Sequence, residues 1–482
     1  MAGTAYEEFL ELAAIEGKER ERILPEWIEA TRRMRLSEED VRYAAREWIP
    51  KHVEMHYLGC RKLLGAMVRE SIDHTKLPEY TAAGKKIVYG VLPANVMSYL
   101  ALKRAGGDKI FVSFPDLNMM FMAQYFFNRG GQYFEIAEQA GMTYGARHCA
   151  LNKMRIAIRL TDLIPTPDVD WAWGLVCDEA TKIDEYINCM YDEKWKTVIT
   201  RLPHDTSADE IDYKMTDRIK FLGRELRYSI GEVEKITGIK VEDKHLEEAY
   251  AESQGLLATA GGLIGTTVRA DPQPLRSSTL LLASVAFSFP LNTGLDYFKD
   301  GLVTLCEEVQ RDVRNGVGIY PKGVPKVGFY FIPFALPWID KMFMDNGVAT
   351  SISLTFLPAK RQMEPSKYTD PYEKAAEQWL KKIYGMGCRP ELNDWIEKVN
   401  MFKPDAMIMG FLDYDRWIGA LHKTMAKKVE EATGVPCFYT EADFYDGRDY
   451  SPEALRTRIE SICQIVKSRK AANQGATGSA GY

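Results

Sequence analysis

Two stretches of this chain alternate short β-type runs with helical segments, and this alternation constrains the fold more than any other feature. In the first stretch the β-type runs are KKIVYG, KIFVSFP, DVDWAWGLVCD and TVITRLPH. In the second stretch they are KVGFYFIP, ATSISLTF, PDAMIMG and VPCFYTE. Strands and helices that alternate at this spacing predict parallel sheets with helices on both faces. Ligands of such sheets bind beyond the carboxyl ends of the strands.

The chain is long enough for more than one hydrophobic core. With 482 residues, two to three domains are expected, because single cores stop growing near ~250–300 residues. We predict an α/β protein with two Rossmann-like parallel-sheet domains, a helical insert and an N-terminal helical segment. The predicted divisions are an N-terminal helical segment at 1–84, a first Rossmann-like domain at 85–204, a helical insert at 205–322, a second Rossmann-like domain at 323–468 and a disordered tail at 469–482.

Charge and hydropathy argue against several classes of protein. The net charge of −6 and the sequence pI near 5.8 disfavour a nucleic-acid-binding protein, which usually has a basic domain. The N-terminus lacks the basic and apolar regions of a signal peptide, and the longest apolar runs are too interrupted to span a membrane. The 8 cysteines are scattered, which is typical of reduced thiols. We therefore expect a cytoplasmic protein without nucleic-acid or membrane partners.

Two of the cysteines, Cys149 and Cys177, each precede a helical stretch. Cys149 leads into ALNKMR and Cys177 into DEATK, so both thiols are predicted to lie at helix N-termini. The positive end of the helix dipole and the exposed N–H groups there lower the pKa of a thiol. Thiolates are the ligands of iron–sulfur clusters, and Cys177 also falls at the carboxyl end of a predicted strand. The pair therefore predicts part of a cluster site, with two core thiols as the alternative interpretation.

Three longer segments carry a resemblance to a known family. They are HCALNKMRIAI, PTPDVDWAWGLVCDEATKIDEYI and the closing segment GVPCFYTEADFYDGRDYSPEALRTRIESICQIV. Over roughly residues 85–470 the chain resembles the 2-hydroxyacyl-CoA dehydratase family and, within it, the B-type subunits of ATP-dependent benzoyl-CoA reductases. The resemblance implies a related second subunit, an acyl-CoA or aryl-CoA substrate and a [4Fe–4S] cluster. It also implies an ATP-hydrolysing activator that delivers low-potential electrons.

The resemblance also assigns cluster ligands. Cys149 and Cys177 match the first and second cluster cysteines of the family, and the third is expected after the strand PDAMIMG. The sequence at that point contains no cysteine and reads Phe411-Leu412-Asp413-Tyr414-Asp415. The candidate replacements are a carboxylate at Asp413 or Asp415, the thiol of Cys388 in a Gly-rich loop, or a non-protein ligand. The alternative is that the partner subunit holds the cluster and this chain keeps two cysteines as a relic.

Further site predictions concern residues near the expected substrate. Many family members have a glutamate near the position of Asn95, which is our candidate catalytic position although an amide cannot ionise. His148 is a candidate hydrogen-bond donor to a thioester or a cluster sulfur. Arg269 and Arg276 lie on a loop with two prolines and are candidate contacts for CoA phosphates, because bidentate arginine suits phosphate. A structural role is the alternative for each of these residues.

Other cysteines and one charged turn are expected to be structural. Thiols at apolar positions of helices and strands are usually buried, and this prediction covers Cys60, Cys189, Cys306, Cys437 and Cys463. The turn TEADFYDGR is expected to be fixed by pairing among its charged residues, which are Glu441, Asp443, Asp446 and Arg448. The aromatic-rich segment 119–134 is expected in the core or at a subunit interface.

Three functions are compatible with these features. The first is a subunit of an aryl-CoA reductase or a related ATP-dependent acyl-CoA reductase. The second is a subunit of a 2-hydroxyacyl-CoA dehydratase, which is a lyase, and the third is a catalytically silent subunit that supports a cluster-bearing partner. The closing segment favours the first over the second, whereas the missing third cysteine and glutamate favour the third. The sequence contains no Walker A pattern, so ATP hydrolysis is expected of an activator and not of this chain.

Overall fold

The fold is taken from a computed structural model that describes most of the chain. The described residues are 3–91, 94–143, 148–174, 182–203, 215–288, 290–330, 336–355, 357–358, 360–382, 388–411, 421–441, 445–449 and 451–478.

The first sheet has four parallel strands, β1 (Lys86–Gly90), β2 (Ile110–Ser113), β3 (Val169–Trp173) and β4 (Thr197–Thr200). Their order in the sheet is β2-β1-β3-β4. Strand β3 is buried at every position, as expected for a strand with helices on both faces. The chain runs from β1 to β2, which lies on one side of β1, and then crosses to β3, which lies on the other side of β1. The topological switch point, where α/β sheets bind ligands, therefore lies between the carboxyl ends of β1 and β3.

The second sheet repeats this topology. Its parallel strands are β5 (Lys326–Tyr330), β6 (Ala349–Ser353), β7 (Ala406–Phe411) and β8 (Cys437–Glu441), in the order β6-β5-β7-β8. Its switch point lies between the carboxyl ends of β5 and β7. The eight predicted strands and the α/β class with two parallel-sheet domains are thus confirmed.

Helices precede the first sheet, connect its strands and lie between the two sheets. The N-terminal helices are α1 (Ala5–Leu12), α2 (Gly17–Arg33), α3 (Glu38–Tyr43), α4 (Ile49–His52), α5 (Leu58–Thr75) and α6 (Leu77–Ala82). The helices of the first sheet are α7 (Val96–Gly106), α8 (Pro115–Met119), α9 (Gly131–Gln139), α10 (Ala150–Leu160) and α11 (Lys182–Met190). Between the sheets lie α12 (Thr216–Thr237), α13 (Asp243–Arg269), α14 (Ser277–Ser288) and α15 (Asp296–Arg314).

Five further helices accompany the second sheet. They are α16 (Pro337–Asp345), α17 (Pro371–Leu380), α18 (Cys388–Phe402), α19 (His422–Thr433) and α20 (Pro452–Gly478). Because α20 continues to Gly478, the prediction of a disordered tail from residue 469 was wrong for residues 469–478. None of the described helices combines the length and the apolar character needed to cross a membrane.

The N-terminal helices share a core with the first sheet domain. The Phe9 ring stacks on Trp27 and on Phe127 with centroid separations of 5.1 Å in both cases. The Trp48 indole donates a hydrogen bond of 2.8 Å to the carbonyl of Tyr125, which lies in the π-helical turn Met120–Phe126. All side chains of that turn are buried, which agrees with the core location expected for the aromatic-rich segment. The N-terminal helical segment is therefore packed into the body of the protein.

Candidate functional site

The candidate site is defined by the two switch points, where the sequence also places the predicted cluster ligands. Cys177 follows β3, and the predicted third ligand position, 412–415, follows β7. Cys177, Asp413 and Asp415 lie outside the described residues. In the chain, Cys177 follows β3, and β3 lies beside β1 in the first sheet.

Cys149 occupies the N-cap of α10, as the sequence predicted. Its backbone carbonyl accepts hydrogen bonds from the N–H groups of Asn152 (2.9 Å) and Lys153 (3.1 Å), and the residue is half-buried. This position is at the positive end of an 11-residue helix, where anionic ligands are generally stabilised. Cys149 therefore fits the role of an iron ligand in its position and its chemistry.

Cys388 fits that role less well. It is the first residue of α18 and is half-buried, and Glu391 lies in the same helical turn. Burial raises the pKa of the Cys388 thiol, and the charge of Glu391 raises it further. Within the described part of the chain, no three His, Cys, Asp or Glu side chains are close enough together to hold a metal ion. The identity of a third ligand therefore stays a prediction.

A cavity of about 590 Å³ adjoins the N-termini of α10 and α11. Its lining combines apolar side chains such as Met142 with the polar residues His148, Asn152, Lys182 and Glu185, and the last two are exposed. The cavity lies between the helix that Cys149 opens and the helix that follows Cys177. It therefore offers a partly apolar volume near the start of the helix that Cys149 caps.

Arg155 connects the elements around Cys149 and Cys177. Its guanidinium, on α10, donates to the carbonyl of Gly90 at the end of β1 (3.0 Å) and to Asp116 (2.9 Å) and Asp184 (2.7 Å). It also donates to Asp170 on β3. Each of these charged side chains is at most 1% exposed. Sequence reasoning missed this network, although an arginine among apolar positions in KMRIAI was a usable signal.

A second ionic network joins the first domain to the turn after β8. Glu138 on α9 accepts from Lys153 on α10 (2.9 Å) and from Arg448 (2.7 Å). Arg448 also donates to both carboxylate oxygens of Asp446, at 2.9 and 2.6 Å. The expected charge pairing of Asp446 and Arg448 is thus confirmed. Asp443 lies outside the described residues. Because Lys153 is one helical turn from Cys149, the network ties the cysteine-bearing helix to the second domain.

Asn95 is a structural link between α7 and α17. It is fully buried, and its side-chain oxygen accepts from the N–H of Ser98 (3.1 Å) as the N-cap of α7. Its amide nitrogen donates to the carbonyl of Ala375 (2.9 Å) and to Gln378 (3.2 Å). All these contacts lie at the carboxyl end of β1, but they favour a positioning role over proton transfer.

We expect Asn95→Ala to lower the free energy of unfolding by about 1–3 kcal/mol, because a helix cap is lost and buried acceptors on α17 lose their donor. Urea denaturation monitored by circular dichroism measures the change. Asn95→Ser is the control, since serine retains a neutral cap acceptor and lacks the amide donor to Ala375 and Gln378. Equal losses in both variants would contradict a contribution from the cap.

The two arginines predicted to contact CoA phosphates lie in different surroundings. Arg276 is 4% exposed, and its guanidinium contacts Glu54 (2.5 Å) and the carbonyl of Lys51 (3.1 Å). This interior position does not favour a contact with CoA. Arg269 is exposed at the end of α13 and lies 4.8 Å from the Phe402 ring centroid. A phosphate contact stays a prediction, and Arg269 is the better placed of the two.

The remaining cysteines largely follow the sequence prediction. Cys60, Cys437 and Cys463 are buried, and Cys306 is half-buried. Cys189 is exposed on α11 and lines the 590 Å³ cavity, so the prediction that it is buried was wrong. The sequence pattern predicted that Cys189 lies on a helix. It could not predict which face of α11 is exposed, because that depends on how the helix packs on the sheet.

Sequence reasoning also missed a buried aromatic and acidic group at the second switch point. The Tyr330 hydroxyl lies 2.5 Å from Nδ1 of His422, and Nε2 of His422 lies 3.3 Å from Glu391. Trp395 packs on Tyr330 and His422. Tyr330 ends β5 and His422 begins α19, so this group fixes the two elements that flank residues 331–335 and 412–420.

Comparisons with known proteins agree with this arrangement. The family model described as 2-hydroxyglutaryl-CoA dehydratase, D-component, matches residues 115–465. The B-type subunit of benzoyl-CoA reductase from Thauera aromatica is 22% identical over 333 residues, covering 65% of this chain and 74% of that protein. The (R)-phenyllactyl-CoA dehydratase alpha subunit of Clostridium sporogenes is 22% identical over 316 residues, covering 64% and 73%. The matched region includes Cys149, Cys177 and the whole second sheet, and the chain belongs to the 2-hydroxyglutaryl-CoA dehydratase D-component family.

Proposed function

We propose that this chain is a subunit of an iron–sulfur acyl-CoA enzyme, most specifically an aryl-CoA reductase of the benzoyl-CoA type. In this proposal the chain pairs with a related second subunit in the cytoplasm, and an ATP-hydrolysing activator supplies low-potential electrons. The observation that carries the proposal is Cys149 at the N-cap of α10, beside the switch point of a chain that belongs to this family.

Cys149 and Cys177 would hold the cluster, with the third position supplied by Asp415, Cys388 or a ligand from outside the chain. When bound, such a cluster supplies one-electron chemistry to a thioester carbonyl. The chain itself supplies the surroundings. The network of Arg155 fixes α10 and α11 against the sheet, and the network of Glu138 fixes α10 against the second domain.

The cavity beside α10 supports an acyl-CoA substrate. The apolar part of its lining suits a hydrocarbon or aryl group. His148 lines this cavity and is the described group best placed to donate a hydrogen bond there. Arg269 is the candidate for the phosphates of CoA.

A dehydratase is the second candidate function, because one of the two relatives is a dehydratase alpha subunit with the same identity to this chain. Reductase and dehydratase differ in the products they form. A reductase adds hydrogen to the acyl group, whereas a dehydratase removes water from a hydroxyacyl group.

The experiment is an anaerobic assay of the purified complex of this chain, its partner and the activator. With ATP, we expect benzoyl-CoA or a related aryl-CoA to gain two hydrogens, as read by mass spectrometry. Loss of water from a 2-hydroxyacyl-CoA would establish the dehydratase instead. If neither class of substrate reacts in a complex that contains iron, the proposal is wrong.

A further inference from the structure

The Arg155 network holds more acidic groups than its single arginine can neutralise. Asp116, Asp170 and Asp184 all contact the guanidinium, and all four side chains are at most 1% exposed. With every carboxyl ionised, the group would carry a net charge of −2 in a place that water does not reach. Buried charge without compensation is costly, so such groups normally bind a proton or a cation.

The hydrogen bonds show where a proton fits. In each aspartate one oxygen accepts from Arg155, while the other, Oδ2, receives no hydrogen bond from any donor among the described residues. Asp170 and Asp184 are close enough to share a hydrogen bond, which two carboxylates can do only if one of them is protonated. The described residues offer no metal-binding group here, which leaves a proton as the compensating charge.

The electrostatic environment agrees with a bound proton. Burial raises the pKa of Asp116 to about 6, although Arg155 opposes the change, and burial also raises the pKa of Asp170. The other titratable groups nearby do not supply the missing charge. Burial keeps Tyr89 on β1 and Tyr99 on α7 neutral by raising the pKa of each.

Two further residues complete these surroundings. Arg159, one turn after Arg155 on α10, is paired with Asp192 (3.0 Å) and Asp162 (3.0 Å). Its positive charge is therefore already balanced. Trp195 adds only a neutral donor, from its indole N–H to Asp184 (3.2 Å).

The position of the network relates it to the candidate site. Arg155 is six residues after Cys149 on α10, which is about 9 Å along the helix. Asp170 lies on β3, the strand that precedes Cys177 in the chain. Asp184 lies in the first turn of α11, the helix that follows Cys177 in the chain. A charge added about 10 Å away at an effective dielectric constant near 20 changes proton affinity roughly tenfold.

We propose that Arg155 and its three aspartates form an internal proton-binding site whose proton affinity would rise on reduction of a cluster held by Cys149 and Cys177. Such a cluster would supply the one-electron change, and for each electron one proton from solvent would bind an ionised carboxylate of the network, so that the total charge of the interior would be unchanged. The coupling rests on the proposed function, whereas the bound proton does not, and the two can be tested separately.

The bound proton is tested by the pH dependence of unfolding of the full chain. The folded chain binds the Asp116 proton more tightly than the unfolded chain, so the contribution of this proton to stability is full below the usual pKa of 3.8 and is lost as the pH rises through about 6. The shift at Asp116 corresponds to about a 100-fold change in the folding equilibrium constant. Asp116→Asn and Asp184→Asn should reduce this loss, because an amide is neutral at every pH. Two variants are used because either one alone could disturb folding.

Asp192→Asn is the matched control, on an aspartate paired with the neighbouring Arg159. Burial alone would raise the pKa of Asp192, but hydrogen bonds from Thr166 and Arg159 outweigh it and hold the pKa below its usual value. Its removal should therefore cost stability at neutral pH. If the Asp116 and Asp184 variants lose stability from pH 4 to pH 7 as the wild type does, the network binds no extra proton.

The coupling is tested by the midpoint potential of the anaerobic complex as a function of pH. We expect the potential of the wild-type complex to fall by up to about 59 mV for each tenfold drop in proton concentration, near the pKa of the network. In Asp184→Asn the slope should be reduced, and in Asp192→Asn it should be unchanged. Equal slopes in all three proteins would overturn the coupling. A complex without iron would overturn both the proposed function and the coupling, but the unfolding experiment would still decide the bound proton.

Discussion

Replacement of either predicted cluster cysteine by serine is expected to remove the iron and the activity together. In the anaerobically purified complex, Cys149→Ser or Cys177→Ser should lower the iron content by about four atoms, the content of one [4Fe–4S] cluster. Substitutions of residues that merely support metal ligands cost 10–100-fold, so the loss of a ligand should reduce turnover by at least about 100-fold. Iron and sulfide analysis measures the first effect, and the ATP-dependent assay measures the second.

The chain offers a matched control for this experiment. Cys306 is half-buried on α15, outside the lining of the proposed substrate cavity, so Cys306→Ser should change neither iron content nor turnover. Circular dichroism checks that each variant is folded. If the Cys149 and Cys177 variants retain full iron and full turnover, the partner subunit holds the cluster and this chain is the silent subunit. In that case the two cysteines are relics.

The third ligand can be identified in the same way. Asp415→Asn and Cys388→Ser separate the two protein candidates, because the variant that loses iron marks the ligand. Burial and the charge of Glu391 raise the pKa of the Cys388 thiol, so Cys388→Ser tests whether iron binding overcomes both effects. If neither variant loses iron, the third position belongs to the partner or to a ligand from outside the chain.

Sequence patterns predicted the sheets well because the periodic signals are local. Strands such as VDWAW and AMIMGF are short, apolar and flanked by turn residues, and all the predicted strands are present. The N-cap position of Cys149 was also predictable, since it depends only on where α10 begins. The tail was harder, because small polar residues after 469 suggested disorder whereas α20 extends through them to Gly478.

The parts of the site that sequence reasoning missed depend on contacts between distant residues. Asp116, Asp170 and Asp184 lie on three different elements, and no local pattern shows that they meet at Arg155. Likewise, Arg276 was assigned to an exposed loop because its neighbours are prolines, but Glu54, 222 residues earlier, holds it in the interior. Charge pairing across such distances follows from the tertiary fold.

These networks also explain how a site with an unusual third position can remain organised. In many metal sites the metal itself helps to hold its ligands together. Here two side chains in the first half of α10 fix the helix to its neighbours. Lys153, one turn from Cys149, contacts Glu138, and Arg155 contacts four elements, which are α8, α11, β1 and β3. The backbone of Cys149, which caps this helix, is therefore held by contacts of the protein, which reduces the dependence of the site on its third ligand.

Replacement of Arg155 by methionine should have the largest effect on stability of any substitution near the site. Methionine retains most of the side-chain volume but leaves three buried aspartates and the carbonyl of Gly90 without their donor. Removal of one partner from a buried ionic network costs about 3–5 kcal/mol. Arg159→Met on the same helix is the control, and it should cost only about 1 kcal/mol because Arg159 is partly exposed. Because the defect is unpaired negative charge, lower pH should partly restore the Arg155 variant, and Asp184→Asn in the same chain should do so at neutral pH. A loss near 1 kcal/mol in urea denaturation, with no such restoration, would show that Arg155 does not hold these elements together.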